Sequence, residues 1–116
     1  MKRFLAIYIG TPGGFEKWQK LDEATRKSRE TAGIKAWKEW GETHSAIIVD
    51  QGGPLGKTKR TAADGVSDVR NSMTAYVIVQ AETQEAAAKL FEKHPHFSIF
   101  PGESVEIMEI LPIPGQ

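Results

Sequence analysis

The chain reads as an α+β domain whose elements run β-α-β-β-α-β, and three observations predict this. Four runs rich in β-branched, aromatic and other apolar residues, at 3–9, 45–50, 73–80 and 104–110, are bounded by clusters of turn-forming residues. Between the first pair and between the last pair, over 15–43 and 83–94, apolar residues recur at spacings of three and four. The chain has 116 residues, too few for two domains but enough to bury one core. Residues 1–116 are therefore read as one domain.

The first strand, Arg3 to Ile9, sends Phe4, Ala6 and Tyr8 to one face and Leu5, Ile7 and Ile9 to the other. A strand that is apolar on both faces belongs in the middle of a sheet. Gly10-Thr11-Pro12-Gly13-Gly14 ends it. Phe15, Trp18 and Leu21 then begin a helical stripe that Ile34, Trp37 and Trp40 resume, which predicts two helical pieces with a break near Thr31-Ala32-Gly33. Ser45 to Asp50 is the second strand. Residues 52–71 hold four glycines and a proline and are expected to form a long surface loop. Met73 to Gln80 is the third strand. Thr83 caps a helix carrying Ala86, Ala87, Leu90 and Phe91, which Pro95 stops. Ser104 to Ile110 closes the series, with Pro112 and Pro114 beyond it.

This order is the split βαβ, ferredoxin-like arrangement: a four-stranded antiparallel sheet with both helices on one face. Two helices leave the other face bare, although the first strand is apolar on both faces and the third offers Tyr76 and Ile78 opposite Ala75, Val77 and Val79. A patch that large on a soluble protein calls for cover. The simplest cover is the same face of a second copy, so a homodimer is expected.

Composition narrows the function. Fifteen basic residues balance fifteen acidic ones, which gives no field to draw in nucleic acid or an anionic membrane. No cysteine is present, so there is no disulfide and no thiolate chemistry. No apolar run is long enough to cross a membrane. Met1-Lys2-Arg3 followed by an apolar run imitates a leader, but the run stops after six residues; a cytoplasmic protein is expected.

Few residues carry chemistry. Gly52 to Thr58 imitates a phosphate-binding loop, but its first glycine is one place late and no helix is expected after Lys57-Thr58. Lys57, Lys59 and Arg60 form a small basic cluster able to anchor an anion, or simply a solvated loop. His94-Pro95-His96 is the most informative segment. His94 shares the helix face of Leu90 and Phe91, as a core histidine would. His96, just past the helix, is a candidate general base. The pair supplies only two metal ligands, so neither a metal nor a cofactor is expected. His44 reads as a helix C-terminal cap or a ligand contact. Trp37, Trp40 and Tyr76 are core residues or the walls of an apolar pocket with polar handles.

The run Trp37-x-x-Trp40, Ala46 to Asp50 with Gly52 and Pro54, and Asp64-Gly65-Val66-Ser67-Asp68 resembles the YCII-related proteins. So do Ala75-Tyr76-x-Ile78, Ala81-Glu82 with Glu85-Ala86-Ala87, His94-Pro95-His96-Phe97 and Val105-Glu106-Ile107. The resemblance covers about residues 34–116. It implies a ferredoxin-like dimer forming an α/β barrel. In some members a histidine of the first helix is proposed to work with an aspartate as an acid–base pair. That position falls near Ile34 here, and no histidine precedes His44.

The function expected is a small-molecule-binding dimer with a pocket between sheet, first helix and the 52–71 segment. Its enzyme version uses His94 or His96 as a base on a small anionic or aromatic metabolite, with Trp37, His44, Lys57, Arg60 and Tyr76 contacting the ligand. Such a base predicts an acid limb at about pH 6–7. The alternative is a non-catalytic dimerisation or interaction module.

Overall fold

The computed structural model describes residues 1–115. Strand β1 (Lys2–Ile9) leads into helices α1 (Pro12–Gln19) and α2 (Glu23–Thr43), then strands β2 (Ile48–Pro54), β3 (Thr58–Ala62), β4 (Gly65–Val69) and β5 (Met73–Ala81). Helices α3 (Gln84–Lys89) and α4 (Pro95–Ser98) precede strand β6 (Ser104–Glu109). The main sheet has the order β2-β5-β1-β6, and every pairing in it is antiparallel. β3 and β4 pair only with each other, as a separate two-stranded sheet.

The alternation read in β1 decides where the core lies. Phe4, Ala6 and Tyr8 are buried, and beside them on β5 so are Val77, Val79 and Ala81. Ala87 and Phe91 join them from the α3 side, with Trp37 and Trp40 of α2 packed against the cluster. The core thus occupies the helix-covered face. On the other face Leu5, Ile7, Tyr76 and Ile78 are only half-buried.

Four expectations need correction. Residues 31–33 do not break the helix: α2 runs through them, and the joint lies instead at 20–22. Asp22 caps α2 by accepting a hydrogen bond from Thr25 N–H at 3.0 Å, which lowers the Asp22 carboxyl below its ordinary range. The Arg26 guanidinium donates to the Gln19 and Leu21 carbonyls, closing the elbow. Gly33 has a packing reason rather than a breaking one. It is the one buried residue of α2, and a Cβ there would lie 2.5 Å from the Phe100 ring.

The second strand starts and ends later than expected, at Ile48 and Pro54, with irregular register beside β5. Gly52 makes this possible: its φ is +60°, and its backbone lies against the Tyr76 carbonyl too closely for any side chain. The expected 52–71 loop is mostly the β3–β4 hairpin. Its turn is set by Gly65 at φ +113°. The third helix is also shorter than expected: α3 stops at Lys89, and His94 is the N-cap of α4 rather than a late residue of α3.

The two glycines of α2 give opposite expectations. Gly33→Ala drives a methyl into Phe100 and costs about 1–3 kcal/mol. Gly41→Ala meets nothing within 4 Å and gains about 0.5–1 kcal/mol of helix stability. Urea unfolding of both variants at one protein concentration checks the pair, and equal effects would refute the Phe100 contact.

Candidate functional site

A cleft of about 2170 Å³ opens between the sheet, α2 and the root of the hairpin. Tyr8 and His96 line it together with Trp37, Trp40, Phe100 and Ile34. At the hairpin root, Lys57, Lys59, Asp68 and Arg70 line the same space.

The chemistry starts from His94, which is fully buried. Trp37 meets its ring edge-on at 4.6 Å between centroids, and Trp40 lies 4.8 Å away. Burial among indoles, with further contributions from the His96 and His44 charges, pushes its pKa down to about 3, so the ring is neutral. Its tautomer follows from its neighbours. Backbone N–H of His96 donates to His94 Nδ1 at 3.0 Å, so the ring proton is on Nε2. That N–H donates to Tyr8 Oη at 3.3 Å. The phenol proton of Tyr8 is thereby left to point elsewhere. Burial raises the Tyr8 pKa, which keeps the phenol a donor.

His96 is 6% exposed and its Nε2–H donates to the Ile9 carbonyl at 2.8 Å. Burial lowers its pKa, partly offset by the Ile9 and Ser104 backbone. A neutral ring with the proton on Nε2 carries a lone pair on Nδ1. His96 lines the cleft, and besides Ile9 the Ser104 backbone also acts on its ring. The imidazole is fixed at Nε2 by the end of β1. Its position is locked from behind by Gly102, where any Cβ would strike the ring.

The other expected site residues separate into two groups. Trp37, Lys57 and Tyr76 line the cleft. Tyr76 stands on the opposite face of β5 from Val77, beside Gly52. His94, His44 and Arg60 are not cleft residues. His94 has both ring nitrogens engaged, which removes it as a base. His44 is the C-cap of α2, its ring 4.9 Å from Trp40. Arg60 approaches Asp64 across the hairpin turn at 3.7 Å. Lys59 reaches the cleft but is paired with Asp68 at 2.6 Å. Lys57 and Arg70 have no ion-pair partner among the described residues. No group of three or more His, Asp or Glu able to hold a metal ion occurs among the described residues. Tyr8 is a cleft residue that the sequence did not single out. It reads there only as an inward position of a strand, and nothing local signals the imidazole that meets it 86 residues later.

Two neutral buried histidines tie stability to pH. The unfolded chain takes up their protons near pH 6.5, whereas folded His94 does so only near 3. Their contribution is complete above pH 6.5 and is lost as pH falls below it, by about 1.4 kcal/mol per pH unit for each proton. Urea midpoints at fixed protein concentration are expected to drop between pH 7 and 5; an unchanged midpoint would contradict the neutral rings. Tyr8→Phe leaves His94 Nε2–H buried without a partner and is expected to cost about 1–3 kcal/mol at pH 7.

No protein-family model matches the chain, and no curated protein matches it. Among solved structures the chain is similar to 5-chloro-2-hydroxyhydroquinone dehydrochlorinase from Burkholderia phenoliruptrix, determined in complex with 2,5-dihydroxybenzoquinone. The identity is 19%, the match covers 91% of this chain and 90% of that one, and the TM-score is 0.52. At that identity the likeness is one of fold: mixed α and β, with a four-stranded antiparallel sheet and helices.

Proposed function

We propose that this chain binds a small planar, anionic aromatic molecule in the cleft and moves a proton on it, with His96 as the base. The observation that carries the reading is the His96 ring: its pKa lowered by burial, held at Nε2 by the Ile9 carbonyl, and lining an aromatic-walled cleft. Trp37 and Phe100 offer flat apolar contact to such a ligand. Lys57 and Arg70 supply charge for a carboxylate or phenolate. Tyr8 donates its hydroxyl proton in a hydrogen bond to the ligand oxygen on which charge develops. His96 Nδ1 takes the proton and, as imidazolium, returns it to the product or to water. The similarity to a protein determined with a dihydroxybenzoquinone supports the ligand class without assigning the reaction.

The sheet order and the one-sided core support the ferredoxin-like reading, and we propose that two copies pair through the bare face of Leu5, Ile7, Tyr76 and Ile78 into an α/β barrel. The resemblance to YCII-related proteins supports the same arrangement.

A thermal-shift panel of hydroxyquinones, phenols, aryl carboxylates and phosphates tests the site. A ligand at about 100 times its dissociation constant adds roughly 2.7 kcal/mol, a shift of several degrees. Lys57→Ala is expected to weaken an anionic hit, and His96→Gln to abolish turnover of it while leaving binding largely intact. Because the His96 pKa lies below its ordinary 6.5 and the Tyr8 pKa above its ordinary 10.0, the acid limb of kcat/KM is expected below pH 6.5. That differs from the limb an unperturbed imidazole gives. A hit that is indifferent to every cleft substitution, or a flat panel, favours the interaction module instead.

A further inference from the structure

The β3–β4 hairpin has the features of an arm built to be covered. Its strands of five residues pair with each other and with no strand of the main sheet. Two-stranded hairpins standing in water are at best marginally stable. Val66 is 66% exposed, on the same face as Thr61. The arm carries no net charge of its own: Lys59 pairs with Asp68 and Arg60 approaches Asp64. It can therefore be buried without stranding a charge, and it offers nothing to a polyanion.

The dimensions point the same way. The radius of gyration is 16.2 Å, where a compact domain of this length has about 13 Å. The chain exposes 8330 Å², about 2,000 Å² more than a compact monomer of this size. The bare sheet face does not account for that excess. Four strands about 4.8 Å apart and six to nine residues long project to roughly 500 Å², less than two-thirds of one partner's share of a standard interface.

We propose that the β3–β4 hairpin is a clasp, laid across a second copy of this chain and supplying the part of the interface that the sheet face lacks. This rests on the dimer reading above and goes beyond it. Because Lys57 and Arg70 at the arm's root also line the cleft, clasping fixes that wall of the site, which stays incomplete in a lone chain.

Hydrogen exchange of the intact chain, followed alongside sedimentation, tests the clasp. Above the dimer dissociation concentration the amides of 58–69 are expected to be protected, and below it to exchange as open chain. Val66→Asp, at a site exposed in the single chain, is expected to weaken the dimer about tenfold or more with unchanged secondary structure. A dimer whose hairpin amides exchange equally at both concentrations, or that tolerates Val66→Asp, overturns the clasp and leaves the sheet-face dimer standing. A monomer at all concentrations overturns both.

Discussion

The fixed point of this molecule is an uncharged imidazole. His94 is enclosed by Trp37, Trp40, Phe91 and Tyr8, where a cation has no water and no carboxylate to offset its desolvation. Neutrality makes the ring a donor at one nitrogen and an acceptor at the other, and both are used across elements distant in sequence. The Nδ1 bond draws in the His96 backbone and starts α4, which is four residues long and has little cooperativity of its own. With α4 placed, the His96 ring meets the Ile9 carbonyl at the end of β1. The Nε2 bond occupies the Tyr8 oxygen and leaves its proton for another acceptor. One buried ring thus decides what two cleft-lining groups can do.

The same aromatic cluster explains why a cleft exists at all. α2 is 21 residues long but places only Gly33 fully inside. A helix of that length with a broad apolar stripe would lie flat on the sheet and fill the space. Here it is held by the Trp37 and Trp40 indoles, by Gly33 against Phe100, and by Arg29, which donates to the Ile99 carbonyl and sits over Trp18. Trp40 anchors by donating Nε1–H to the Leu90 carbonyl at 2.9 Å. Large side chains at few points act as spacers, and the gap beside them is the cleft.

Much of the architecture is legible in the chain because it depends on local pattern. Alternation in 3–9 and 73–80 marks the two strands that lie at the centre of the sheet, and Thr83 marks the start of α3 through its hydroxyl. What resists reading depends on distant contacts. Gly33 signals a helix break to any local rule, yet it is glycine because Phe100 approaches from the other half of the chain. The glycines of 52–65 read as a loop, whereas Gly52 and Gly65 are the positive-φ positions that let β2 bulge and the hairpin turn. At the site, His96 could be singled out from its place after Pro95. The engagement of both His94 ring nitrogens and the place of Tyr8 in the cleft could not, since the Tyr8 contact joins residues 86 apart across the core.

Under the proposed function, the base has a different situation from the one the resemblance implies. A histidine at the position of Ile34 would stand on α2, where that residue is 59% exposed yet still lines the cleft. Water there would keep the imidazole near its ordinary pKa, a stronger base but one half protonated close to neutral pH. His96, on the other wall and 6% exposed, is a weaker base, its pKa lowered by burial. The loss in proton affinity is tolerable only if the substrate proton is itself acidic, or if the charge left behind is stabilised strongly. A hydroxylated aromatic meets the first condition. The Tyr8 phenol, with Lys57 and Arg70 at the cleft edge, meets the second. Moving the base inward therefore goes together with an anionic, oxygen-bearing aromatic ligand.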